Sequence, residues 1–184
     1  VPWQLAAEHF NFKLTYIPVL ADGMLALNTY KKLLGEKPAL FSITHVSNVL
    51  GTINPLPQMI SDAHKAGALV LVDAAQSIAH LPIDVKKLDC DFLAFSGHKM
   101  YGPTGIGVLY GKKNILDDLP PFLGGGDMIK TVTLERSTWN DVPHRFEAGT
   151  PPIAEAIGLG AAADFITTIG FDPIQKHEHD LMTY

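Results

Sequence analysis

The run Ala68-Leu69-Val70-Leu71-Val72 is apolar without alternation and stops abruptly at Asp73. A strand written this way is covered on both faces, as parallel strands between helices are. Two further stretches share the pattern. Ala39-Leu40-Phe41-Ser42-Ile43-Thr44 runs into the polar loop His45-Val46-Ser47-Asn48, and Phe92-Leu93-Ala94-Phe95 runs into Ser96-Gly97-His98-Lys99. Between the first two, Pro55 and Pro57 open a helix whose Leu56, Ile60 and Ala63 share a face, and Gly67 ends it. A crossover of mixed character over 78–88 joins the second and third. Three strand–crossover units imply right-handed βαβ topology, which gathers the loops bearing Asn48, Asp73 and Lys99 on one edge of one sheet. The turn Gly102-Pro103-Thr104-Gly105 is too short for a parallel crossover, so the strand over 106–110 must be antiparallel. The fold class expected is α/β: a mostly parallel sheet with helices on both faces and one antiparallel strand.

Outside this centre the pattern predicts a helix ending at Phe10, a strand over 12–19, a turn at Asp22-Gly23, and a helix capped by Asn28 and stopped at Gly35. Further on it predicts a short helix over 115–119, a mobile loop at Gly124-Gly125-Gly126, and an irregular polar segment to Asn140. An apolar helix over 153–169 and a helical piece from Pro173 follow. A chain of 184 residues fits one domain and suffices to bury roughly 70% of its unfolded surface. With a net charge of -5 and scattered Lys and Arg, general nucleic-acid binding is not expected. No apolar run approaches the ~20 residues of a membrane helix and no signal peptide is visible, so no membrane partner is expected. Cys90 is alone, which makes a reducing, cytoplasmic setting the default, with an organelle left open because the chain starts without Met. Beside Asp89 and Asp91 it reads as a small buried hydrophobe and not as a nucleophile.

The chemistry sits at the expected edge. Lys99 follows a strand and precedes a Gly-rich turn; a desolvated lysine there loses its proton readily and condenses with an aldehyde, while a plain surface lysine is the alternative. Asp73 at the end of a buried strand demands a cation. The pyridinium nitrogen of pyridoxal 5'-phosphate supplies one, and the carboxylate keeps that ring protonated; a helix cap or metal ligand is the alternative. Gln76 is placed to donate to the ring's phenolate oxygen. Ser96, His98 and the amides near Gly97 suit a phosphate. Asn48 suits a ring oxygen, a substrate carboxylate or a simple turn, and Thr150, between Gly149 and a helix, suits an anion or an N-cap. Other motifs fail. Gly105-Ile106-Gly107 has Tyr110 at the third glycine position of a dinucleotide loop, and Gly111-Lys112 lacks the Ser or Thr of a phosphate loop. His177-Glu178-His179 reads as a solvated helix face, since HExxH requires His at the position of Leu181.

Four ordered motifs carry a resemblance: Thr44-His45-Val46-Ser47-Asn48-Val49-Leu50-Gly51, Val72-Asp73-Ala74-Ala75-Gln76, the segment from Phe95 through Gly105, and Arg145-Phe146-Glu147-Ala148-Gly149-Thr150-Pro151. Together they resemble the cysteine desulfurases of the SufS type, class V aminotransferase-like enzymes of the fold-type I pyridoxal phosphate class. The resemblance implies removal of sulfur from L-cysteine, or selenium from L-selenocysteine, leaving L-alanine, with sulfur passed to an acceptor protein for iron–sulfur cluster assembly. It implies that Lys99 is the covalent anchor and proton carrier, that Asp73 pairs with the ring nitrogen, and that Gln76 meets the phenolate oxygen. Ser96 and His98 would hold the phosphate, and Thr150 the phosphate of the other subunit of a homodimer. It further implies that residues 1–184 are a central part of the large cofactor domain. The ring-stacking His, the substrate-binding Arg and the sulfur-accepting Cys would lie in N-terminal and C-terminal parts outside this stretch. The stretch by itself is then expected to be inactive, weakly stable and prone to associate, with a gap beside the strand near Ile43. A kynureninase-like hydrolase, a small-substrate aminotransferase, or a non-catalytic association domain are the alternative readings.

Overall fold

The computed structural model describes residues 1–184. Helices α1 (Pro2–Phe10) and α2 (Leu27–Leu34) lead into β1 (Leu40–Thr44), which is followed by α3 (Leu56–Lys65), β2 (Leu69–Asp73), α4 (Val85–Leu88) and β3 (Phe92–Ser96). A short 3-10 turn, Gly97–Met100, then leads to β4 (Gly107–Gly111). The sheet order is β1-β2-β3-β4, parallel except for β4, which returns antiparallel to β3 as the short connection requires. The chain continues through α5 (Lys113–Asp118), a hairpin of β5 (Ile129–Val132) and β6 (Ser137–Trp139), and finally α6 (Ile153–Ile169) and α7 (Phe171–Thr183).

Strand alternation divides the sheet into unequal faces. Phe41, Ile43, Val70, Val72 and Leu93 are buried against Leu56, Met59, Ile60 and Ala63 of α3 and Tyr30 of α2. Each such aliphatic side chain contributes about 1.5–3 kcal/mol on burial. The Tyr30 hydroxyl donates to the Met59 carbonyl at 2.5 Å. Burial, aided by the Asp62 carboxylate, pushes its pKa up to about 12. Leu40, Ser42, Thr44, Leu69 and Asp73 occupy the other face and are exposed. There α1 reaches the sheet through Trp3, whose Nε1 donates to Ser42 Oγ at 3.1 Å.

The amino ends of the strands are pinned by a buried carboxylate. Asp91, 4% exposed, accepts from the Val70 amide at 2.7 Å and pairs with His64 Nε2 at 2.8 Å and Lys112 Nζ at 2.9 Å. One side chain thereby joins β2, α3 and the end of β4. Burial alone would raise its pKa; the bonds from Lys112, His64 and the Val70 amide outweigh that and hold it below the ordinary carboxylate value. Lys112 also meets Asp89 at 2.7 Å, and these two carboxylates keep its pKa high despite partial burial. Cys90 between them is fully buried, and burial first, then the two acids, raises its pKa, in line with an inert thiol.

Four local expectations are corrected. Residues 12–19 form no strand; their one pairing is the isolated bridge Val19↔Leu25. Alternation offers a face but a strand needs a ladder, and here the chain folds back on itself, with Leu20 N donating to Met24 O at 2.8 Å and Ala26 N to Pro18 O at 2.9 Å. Asn28 does not cap α2, because Ala26 is at the N-cap and Asn28 lies inside the first turn. The segment before Asn140 is not irregular: Thr133 Oγ1 accepts from the amides of Glu135 and Arg136 at 3.2 and 3.1 Å and closes the β5–β6 hairpin. The Gly124–Gly126 loop is tied at its end, since the Gly126 carbonyl accepts from Met128 N at 2.7 Å and Gly149 N at 2.9 Å. No single helix is long and apolar enough to cross a membrane, and α6 and α7 are bent by 79° where they meet.

Candidate functional site

The carboxyl ends of the parallel strands form the site edge. Thr44 pairs with Asp73 and Asp73 with Ala94, so Thr44, Asp73 and, two residues beyond Ala94, Ser96 project from the same, less covered face. Past Asp73 the chain enters a tight turn that starts with Ala74 N donating to Ala94 O at 2.8 Å. Asp73 Oδ1 accepts from the Ala75 amide at 2.9 Å, which fixes the carboxylate and leaves Oδ2 without a partner. Gln76 is half-buried on this turn.

Lys99 and His98 are exposed on the 3-10 turn that follows β3, whereas their neighbours Gly97 and Met100 are buried. Neither exposed side chain has a protein partner. The loop is closed by Gly97 N donating to Ile106 O at 2.9 Å and by Gly102 N donating to Gly97 O at 3.0 Å. Two glycines make this possible: a Cβ on Gly97 would lie 2.8 Å from Ile106 Cγ2 and 3.0 Å from its carbonyl oxygen, and one on Gly102 would lie 2.8 Å from Gly97 O. Sequence reading singled out the lysine and passed over these glycines as steric requirements, although Gly97 and Gly102 flank it.

The other expected residues are placed less tightly. Asn48 is exposed at the tip of a loop held by Ser47, whose Oγ accepts from the Val49 and Leu50 amides at 3.3 and 3.1 Å. Thr150 is exposed and does not cap α6, where Pro152 holds the N-cap position without a side-chain bond. The burial expected for Asp73 and Lys99 is absent. Both are exposed, because no element of this chain covers that part of the sheet face. Two polar groups beside the site edge were missed: His45 Nδ1 and Asn54 Oδ1 are buried without partners, and burial lowers the His45 pKa. His177-Glu178-His179 is not wholly solvated, for Glu178 pairs with His80.

The family described as aminotransferase class-V matches residues 1–184, the whole chain. The chain belongs to the aminotransferase class-V family. Among class-V relatives, a probable cysteine desulfurase of Streptomyces coelicolor is 52% identical over 100% of this chain and 44% of its own length. The apo structure of a cysteine desulfurase from Thermococcus onnurineus NA1 superposes with a TM-score of 0.93 at 43% identity, covering 99% of this chain and 46% of that one. A structure of SspA in complex with cysteine superposes with a TM-score of 0.74 at 31% identity, covering 89% of this chain and 43% of that one. The chain thus spans less than half the length of the relatives it matches.

Proposed function

We propose that this chain is the cofactor-holding part of a pyridoxal 5'-phosphate-dependent cysteine desulfurase. One observation carries the reading: an acid and an amine, Asp73 and Lys99, leave neighbouring parallel strands at one sheet edge with Asp73 Oδ2 and Lys99 Nζ unspent on any internal partner. With the Ser96 hydroxyl and the His98 ring beside them, this set has the chemistry to meet a ring cation, an aldehyde and a phosphate. When bound, pyridoxal 5'-phosphate supplies an electron sink for breaking bonds at a substrate's α-carbon. Lys99 Nζ would be the amine that holds the aldehyde group and, when free, the group that carries a proton. Asp73 Oδ2 accepts from the protonated ring nitrogen and keeps it cationic. Gln76 donates to the phenolate oxygen, Ser96 and His98 donate to the phosphate, and Asn48 orients a ring or substrate oxygen. Thr150 donates to a phosphate across a homodimer.

L-cysteine is the substrate we favour, with L-selenocysteine as the close alternative and a sulfur-acceptor protein as the next partner. The names of the relatives, and the cysteine bound in one of them, support this choice. A reducing, cytoplasmic compartment is the setting we favour for a stretch that carries no cysteine pair. With Asp73 and Lys99 open to water, the 184-residue chain by itself is expected to turn over no cysteine. Alanine formed with sulfide by the pure chain overturns that expectation. The cofactor assignment is tested by borohydride trapping with pyridoxal 5'-phosphate: one adduct at Lys99, lost in Lys99→Ala, is expected, and an adduct unchanged by that substitution rules the assignment out.

A further inference from the structure

The turn that carries Asp73 and the turn that carries Lys99 are joined by more than the sheet. From Ala74 onward the first turn is tightly wound, with Ser77 N and Ile78 N donating to Ala74 O at 3.1 and 3.0 Å and His80 N and Leu81 N to Ser77 O at 3.0 and 2.9 Å. It delivers Ala79, 2% exposed, into a small second core with Met100, the residue after Lys99, and Ile166 of α6. Leu159 of α6 closes the same contact from the side, at 3.3 and 3.0 Å from the positions a Cβ would take on Gly97 and Gly102. The acid's turn, the amine's turn and α6 therefore meet at one point.

Helix α7 closes this assembly from outside, and its polar bonds converge on a single residue. The His80 ring presents Nδ1 to Glu178 Oε1 at 2.5 Å, and the His80 carbonyl accepts from Gln175 Nε2 at 2.8 Å. Gln175 and Glu178 are three apart and so share one face of the helix. These are the only polar side-chain bonds from α7 to the rest of the chain, for Lys176–Asp180 and the Thr183 bonds stay within the helix. An ionised carboxylate only accepts, so Nδ1 is the donor in this bond. The pair is 44% and 38% exposed, and a contact so open to solvent adds little to global stability. Its effect is directional. It ties α7 to the turn that follows Asp73, and Phe171 and Ile174 of α7 pack on the Ala79–Met100–Ile166 core.

We propose that His80 is a positioning residue: held by Glu178 and Gln175, it locks α7 onto the small core and thereby fixes the Asp73 turn relative to Lys99. The inference rests on the cofactor reading above. It is tested on the 184-residue protein by the pyridoxal 5'-phosphate concentration that gives half-maximal borohydride trapping at Lys99. Measurements are made on wild type, His80→Ala, Glu178→Ala, the double variant, Glu178→Gln, and Lys176→Ala as a control on the same helix. Each single alanine is expected to raise that concentration about five-fold, the double no more than either single, as for one coupled pair. Glu178→Gln, which keeps an acceptor for Nδ1–H, should restore most of the loss, and Lys176→Ala should change nothing. Amide hydrogen exchange over 74–81 and 97–101 should quicken in His80→Ala without cofactor. Trapping equal to wild type in both singles, or losses that multiply in the double, overturns the proposal. Should an alanine variant not fold, Gln175→Ala against Lys176→Ala decides: weaker trapping in Gln175→Ala alone supports the proposal, and equal trapping in the two overturns it. If wild type itself gives no adduct at Lys99, the cofactor reading fails, while the exchange rates still decide whether His80 holds the two turns together.

Discussion

Asp91 spends both carboxylate oxygens: Oδ2 faces His64 and the Val70 amide, and Oδ1 faces Lys112. Removing it leaves the Val70 amide unbonded and takes one of two carboxylates from Lys112, so Asp91→Ala should cost about 1–3 kcal/mol in chemical denaturation. Because the folded pKa is depressed, the contribution is complete above the unfolded value of 3.8 and is lost as pH falls through the lower folded value. The slope of stability against pH in that acid window should flatten in Asp91→Asn. Gly97 is equally demanding for a steric reason. Gly97→Ala drives a methyl against the Ile106 carbonyl, and a loss of about 1–3 kcal/mol is expected by thermal melting, together with weaker trapping at Lys99. The placement of Asp73 and Lys99 at one sheet edge was legible because each follows an apolar strand, Asp73 directly and Lys99 after Ser96-Gly97-His98. The role of Asp91 was not, since within Asp89-Cys90-Asp91 nothing in the one-dimensional pattern distinguishes the buried acid from its exposed neighbour.

At the scale of elements, the three parallel strands and the antiparallel return were legible to within a residue or two, because continuous apolar runs and a turn too short to cross over leave few alternatives. The segment 12–19 was misread because its alternation satisfies a strand's side chains while nothing in this chain satisfies its backbone. The β5–β6 hairpin was missed because its turn is made by the Thr133 side chain and not by the glycine or asparagine that would announce it. Thr133→Ala should therefore loosen the hairpin selectively, read as faster amide exchange at Glu135 and Arg136 with the main sheet unchanged. The outer edge of β1 is the more consequential exposure, since a short parallel strand with no outer neighbour is a template for pairing. A Leu40→Lys substitution at its exposed start should reduce self-association measured by sedimentation.

At the scale of the molecule, 22 of 184 residues are buried and the accessible surface is 12386 Å². A compact monomer of this mass exposes about 8,700 Å², so the expected burial of roughly 70% is not reached by this chain alone. The excess, about 3,700 Å² on one chain, is well above the roughly 800 Å² that each partner contributes to a standard interface. Concentration-dependent association and a shallow, early thermal transition are expected of the isolated chain, and a sharp, concentration-independent monomer melt would contradict this. The charges that hold the fold and the charges proposed to work lie at opposite ends of the same strands, Asp91 with Lys112 at the amino ends and Asp73 with Lys99 at the carboxyl ends. Evolution at one end is consequently insulated from the other: Asp73→Asn and Lys99→Ala should melt like the parent, so this scaffold can exchange its reactive groups, and hence its chemistry, without renegotiating its stability.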